Sequence, residues 1–135
     1  MIVKRIFLAI LIIGLISCHN KKDEITIIGK INGEVPDKVE YTGPINGVCN
    51  FAFRESVKPD SLGNFQINIT IVEPTFLKLL IVGKSQGTIL VESGEKYNVN
   101  FDLNSKKDKF KVIGKNLKGQ KTYNSLPNSS FIQSV

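Results

Sequence analysis

The sequence predicts an all-β fold, an antiparallel β-sandwich or partly open barrel of about eight strands with a short C-terminal helix. Two observations predict it. From Ile25 onward apolar and polar residues alternate with a period of two, as strands with one buried face do. Between these runs stand clusters of Gly, Asn, Asp, Ser and Pro, which supply the turns. No self-similarity at a period of about 20 to 50 residues suggests a repeat array.

Each element has its own signal. Ile25, Ile27, Gly29 and Ile31 alternate with Thr26, Ile28 and Lys30, and Asn32-Gly33 marks the first turn. A second strand covers about Lys38 to Thr42 and is stopped by Gly43-Pro44, since proline cannot donate to a ladder. The third begins near Val48 and carries Phe51 and Phe53 on one face, with Asn50, Ala52 and Arg54 on the other. Asp60-Ser61-Leu62-Gly63-Asn64 is the strongest hairpin signal, a turn-forming cluster between two extended runs. Beyond it Phe65, Ile67, Ile69 and Ile71 alternate with Gln66, Asn68, Thr70 and Val72 as a half-buried antiparallel strand. Thr75 to Val82, apolar except for Lys78, should lie deeper in a sheet. Gly87 to Glu92 forms another strand, and Ser93-Gly94-Glu95 a tight turn. Tyr97, Val99, Phe101 and Leu103 form the inward face of the next, and Phe110, Val112 and Ile113 a last short one.

The end changes period. Gly114 closes the last strand, Asn116 can cap a helix, and Leu117, Gln120, Tyr123 and Asn124 fall at helical spacing before Leu126-Pro127. At about three turns such a helix is marginal alone and needs packing against something else.

The first residues have the three parts of a secretory signal: Lys4 and Arg5, the apolar run Ile6 to Ile16, and small Ser17. That run would rise roughly 16 Å at about 1.5 Å per residue, against a hydrocarbon core about 30 Å thick, so it is too short to span. Leu15-Ile16-Ser17-Cys18 resembles the lipobox of bacterial lipoproteins. The resemblance implies that Cys18 carries diacylglycerol after cleavage before it, and that its new amine is acylated. Since two lipid signals already give stable anchoring, three chains would hold the protein firmly at a membrane. His19 to Glu24 reads as a polar tether, and Lys22-Asp23-Glu24 resembles the export signal of Bacteroidetes lipoproteins. The expected organisation is a signal peptide over 1–17, a lipidated tether over 18–24, a β-sandwich domain over 25–114, and a short helix and tail over 115–135.

Losing Lys4 and Arg5 with the leader takes the net charge from +6 to +4. The remaining lysines cluster at Lys106, Lys107, Lys109 and Lys111, and at Lys115, Lys118 and Lys121. No aromatics interleave them, so they read as solvated faces rather than nucleic-acid surfaces. With Cys18 lipidated only Cys49 remains, so the mature chain has neither a disulfide nor a dithiol to cycle. Cys49 opens an apolar run and reads as a buried thiol. His19 is the only histidine and sits beside the lipidated residue, which excludes a histidine-based triad or metal cluster in the body. Asp60, Glu73, Glu92, Glu95 and Asp102 mostly fall at turns or strand ends, where solvated acids are expected. Gly83-Lys84-Ser85 lacks the upstream glycine and following helix of a phosphate-binding loop and reads as a turn. Accordingly no catalytic residue, cofactor-binding residue or metal ligand is assigned, and no cofactor is expected.

Three segments in order carry a family resemblance: Asp60 to Phe65, Leu90 to Tyr97, and Gly114-Lys115-Asn116-Leu117-Lys118-Gly119-Gln120. The series resembles the N-terminal DUF4369-type domain of Bacteroidetes lipoproteins, over residues 18 to about 127. In that family this β-rich domain commonly leads through a helical linker into a thioredoxin-like thiol-disulfide oxidoreductase domain. The catalytic Trp-Cys-x-x-Cys segment of that second domain has no counterpart in this chain, which holds no tryptophan. The resemblance therefore implies a non-catalytic accessory or interaction module in the cell envelope, lipid-anchored at the outer membrane on its periplasmic face or at the cell surface. The chain would be either a free-standing front domain or a product truncated at Val135, and the terminal helix favours truncation. Its partners would be the membrane, through the lipid on Cys18, and an envelope protein. A surface lipoprotein that binds carbohydrate or peptide is the alternative. Asp60 to Phe65 is also similar to the turn of transthyretin-like and carboxypeptidase-regulatory sandwiches, which share the plan but differ in topology.

Overall fold

A computed structural model describes residues 23–114 and 117–125. Eight strands form two four-stranded sheets that pack face to face, with one short helix after them. The strands are β1 (Glu24–Asn32), β2 (Val39–Ile45), β3 (Val48–Val57), β4 (Asn64–Thr70), β5 (Thr75–Ile81), β6 (Ser85–Val91), β7 (Lys96–Asp102) and β8 (Phe110–Ile113), and the helix is α1 (Lys118–Ser125). The first sheet has the order β4-β1-β7-β8 and the second β3-β2-β5-β6. They stay separate, so the sandwich alternative holds and the barrel does not. Glu24, expected in the tether, is already the first residue of β1 and pairs with Thr70.

Period-two alternation places the core. On β4 the pattern is strict, with Phe65, Ile67 and Ile69 buried and Asn64, Gln66, Asn68 and Thr70 exposed. Ile25, Ile27 and Ile31 of β1 and Tyr97, Val99 and Phe101 of β7 face inward beside it. Leu77, Leu79, Ile81, Ile89 and Val91 close the core from the second sheet. Gly29 pairs directly with Phe65, whose ring occupies the space a side chain would need: a Cβ there would stand 1.9 Å from the ring.

Three details differ from the sequence expectation. The β1–β7 pair is parallel, with Thr26 opposite Lys96 and Asn32 opposite Asp102, whereas the other strand pairs are antiparallel. The cause is the Ser93-Gly94-Glu95 turn, which crosses from the second sheet to the first beside the start of β1, where Thr26 donates to the Glu95 carbonyl at 3.2 Å. A crossover between sheets is the kind of connection a parallel pair needs. Asp60 to Asn64 is not a hairpin turn, because β3 and β4 belong to different sheets and the segment bridges them. Its local chemistry is nevertheless that of a turn: the Asp60 carboxylate accepts from the Leu62 N–H at 2.9 Å, the Asn64 N–H at 2.8 Å and the Asn64 side chain at 2.9 Å. Finally, β2 does not stop at Gly43-Pro44 but runs through it to Ile45.

The two long sides of the sandwich differ. On the β6/β8 side the Phe110 ring covers Gly87 of β6, where a Cβ would fall 2.0 Å from it, and meets the Phe101 ring at 4.9 Å, tilted by 51°. There α1 also seals the outer edge of β6. The buried Gln120 side chain accepts from the Leu90 N–H at 2.8 Å and donates to the Thr88 carbonyl at 3.1 Å. One side-chain amide thus occupies the two edge groups flanking Ile89, as a residue of an added strand would. Leu117 packs on the core and Tyr123 meets Phe76 at 5.0 Å, the packing such a short helix requires. On the β3/β4 side β3 is exposed from residue 50 to 56 and β4 at every second residue, and this open side holds the candidate site.

Candidate functional site

The site is built from a register conflict between β2 and β3. Asn46 and Gly47 both have positive φ, 53° and 79°, the signature of a two-residue type I′ turn. That turn fixes Ile45 opposite Val48 and Pro44 opposite Cys49. Farther along, Tyr41 is opposite Glu55 and Thr42 opposite Arg54, so four residues, Asn50 to Phe53, stand across from the single Gly43. Pro44 has no N–H with which to continue the ladder, which favours a break there.

Local groups satisfy the bulge. Asn50 Oδ1 accepts from the Ala52 N–H at 2.8 Å, and Thr42 Oγ1, fully buried, accepts from the Lys78 N–H at 3.0 Å where the β2–β5 pairing ends. The Phe53 ring lies over Gly43, where a Cβ would stand 2.6 Å from it. Below the bulge Tyr41 donates to Glu55 Oε2 at 2.7 Å. Burial, then this carboxylate, raises the Tyr41 phenol above its ordinary value. On the outer face Glu40 pairs with Lys38 at 2.8 Å and Arg54 at 3.4 Å, and the Lys38 contact leads in holding its carboxyl below the usual range.

The bulge projects two aromatic side chains from the core. Phe51 is 58% exposed and Phe53 43%, on a ten-residue edge strand whose residues 50–56 are all exposed. Two exposed rings within a rim of Glu40, Arg54 and Glu55 suit apolar contact with a partner surface. Bulges commonly re-aim side chains in this way at sheet edges. The sequence showed Phe51 and Phe53 sharing a strand but not that this strand lies outside the core. Asn46-Gly47 was the legible signal for the register, and Gly43-Pro44 masked it.

The other candidates are dispersed. Cys49 is buried as expected, and burial followed by the Glu55 charge pushes its thiol up to about 11, so it is not a thiolate at neutral pH. Asp60 is engaged in its own turn, and Asp102 accepts from the Asn104 N–H at 3.2 Å. Glu73, Glu92 and Glu95 are exposed. Among the described residues no group of three or more His, Cys, Asp or Glu is placed to hold a metal ion. Gly83 and Lys84 lie in the β5–β6 turn, with Gly83 at φ 73°, and Ser85 begins β6. It lines a shallow open groove of about 380 Å³ shared with Arg54, Leu80 and Gln86. Lys84 is paired there with Glu34 at 2.7 Å. All three tyrosines are engaged: Tyr41 with Glu55, Tyr97 with the Glu92 N–H at 2.9 Å, and Tyr123 against Phe76. Lys106, Lys107 and Lys111 are exposed, as solvated residues are. The lipidation candidate Cys18, with His19, Lys21 and Lys22, lies outside the described residues. Among the described residues no helix is long and apolar enough to cross a membrane. Compared with protein-family models and with curated proteins, the chain matches none.

Proposed function

We propose that this chain is a lipid-anchored, non-catalytic β-domain of the cell envelope. In this reading Cys18 carries the lipid, and the β3 edge is the surface on which an envelope protein docks. The observation that carries the docking role is the exposed Phe51–Phe53 bulge on the open side of a sandwich whose opposite side is sealed. The raised, buried Cys49 thiol supports a role without thiol-disulfide chemistry in this polypeptide. A thioredoxin-like domain of the kind found beside DUF4369-type domains is the partner implied by the sequence resemblance. The test is a photo-crosslinking residue at position 51 of the full-length chain in intact cells. A discrete adduct, absent from a probe at Leu62, is expected; identical labelling at both positions, or none, would contradict the docking role.

A further inference from the structure

Four hydrogen bonds gather one end of the sandwich around the point where the described chain begins. Ile71 donates to the Asp23 carbonyl at 2.9 Å, Val72 to the Gly47 carbonyl at 3.0 Å, Thr26 to the Glu95 carbonyl at 3.2 Å, and Ser93 Oγ to Asp23 Oδ1 at 3.2 Å. The β2–β3 hairpin tip, the segment after β4 and the β6–β7 turn therefore share that end. The tip also presents apolar side chains. Ile45 is 47% exposed and Val72 65%, and Val72 packs so closely on the turn that a Cβ on Gly47 would lie 2.7 Å from it. Singly exposed apolar residues are ordinary; these two stand at the same end of the sandwich as Asp23, where the described chain begins.

We propose that this tip, Ile45 with Val72, rests in the headgroup region of the bilayer and sets the orientation of the domain on the membrane. The inference rests on the anchored reading of Cys18. Four residues, His19 to Lys22, separate Cys18 from Asp23, and these five chain steps reach at most about 18 Å. The opposite end is roughly 26 Å farther along β1 at about 3.3 Å per residue. Apolar side chains a few ångströms from an acyl anchor add to its hold by burying area at the interface.

The charge at this end narrows the lipid. Among the described residues Asp23, Glu24, Glu73, Glu92 and Glu95 outnumber Lys96 and Lys118 toward this end. Such a rim repels phosphatidylserine-like or phosphatidylglycerol-like surfaces and tolerates zwitterionic ones. The occupant is therefore a zwitterionic phospholipid surface.

The chain has no tryptophan, so a single introduced indole reports its own position. Full-length Ile45→Trp, Val72→Trp and Leu62→Trp proteins, the last at the opposite end and 69% exposed, are reconstituted into phosphatidylcholine–phosphatidylethanolamine vesicles containing brominated lipid. Bromine should cut emission at positions 45 and 72 by about twofold or more, shift it to the blue, and leave position 62 nearly unchanged, as interfacial insertion of that end requires. Replacing a third of the lipid with phosphatidylglycerol should weaken the quenching. Equal quenching at all three positions, or none at 45 and 72, overturns the orientation whether or not the protein is acylated. Palmitate incorporation, read separately, tests the anchor itself.

Discussion

Replacing Gln120 with alanine removes the group that seals the β6 edge. In the folded protein its amide satisfies the Leu90 N–H at 2.8 Å and the Thr88 carbonyl at 3.1 Å, and the residue is only 4% exposed. If α1 stays docked in Gln120→Ala, two backbone groups are left buried without partners, at about 1 to 3 kcal/mol each. If α1 lifts instead, water satisfies them but the Tyr123–Phe76 contact and the burial of Leu117 are lost. The docked route costs about 2 to 6 kcal/mol, and lifting, the cheaper escape, holds the loss to about 2 to 3 kcal/mol. For a domain of this size that lowers the melting temperature by roughly 10 to 20 °C. Urea unfolding followed by circular dichroism reads the free energy, and hydrogen exchange at the Leu90 amide reads the local opening. Gln120→Glu keeps the acceptor for Leu90 but turns an oxygen toward the Thr88 carbonyl, so it should be at least as damaging. A Gln120→Ala protein within about 0.5 kcal/mol of the parent, with Leu90 still protected, would refute the sealing role.

Other perturbations follow from the same contacts. Gly29→Ala drives a methyl group into the Phe65 ring and should cost about 2 to 3 kcal/mol in urea unfolding; a loss below about 0.5 would mean the ring moves freely. The Cys49 thiol should react with a disulfide reagent at pH 8 far more slowly in the folded protein than in urea, and equal rates would contradict its burial. Because folding raises that thiol to about 11, the folded state holds its proton longer, and stability should decline as pH rises from about 8.5 toward the folded value. Folding lowers Asp60, chiefly through the hydrogen bonds from Asn64, so its contribution is present above about pH 4 and lost as pH falls through the depressed value. Asp60→Asn should flatten that acid limb in a melting-temperature series, and an unchanged limb would count against the assignment. Phe51→Ser should leave stability within about 0.5 kcal/mol while abolishing the crosslinks made by a probe moved to position 53 of the same edge.

What was legible in the sequence was whatever depends on near neighbours. Strict alternation from Phe65 to Ile71 placed β4 and its buried face, and the spacing of Leu117, Gln120 and Tyr123 indicated a helix. Pairing between distant strands was not legible, because alternation is identical in parallel and antiparallel ladders; only the crossing at Ser93 to Glu95 decides that β7 runs beside β1 in the same direction. The Asp60 turn read as a hairpin for a related reason, since a tight turn between two strands looks the same whether they share a sheet or bridge two. The candidate site was hidden in two competing signals. Gly43-Pro44 suggested a strand end, while Asn46-Gly47 fixed a hairpin three residues later, and the mismatch between them creates the bulge that exposes Phe51 and Phe53. That Gln120 is buried had no signal in composition, because a lone glutamine on a helix is ordinarily solvated.

The central claim, a lipid-held envelope domain, is tested most directly by expressing the full-length chain and its Cys18→Ala variant in a bacterial host with labelled palmitate. The account predicts label in the parent protein and none in Cys18→Ala. Label retained without Cys18, or absent from the parent, would contradict it.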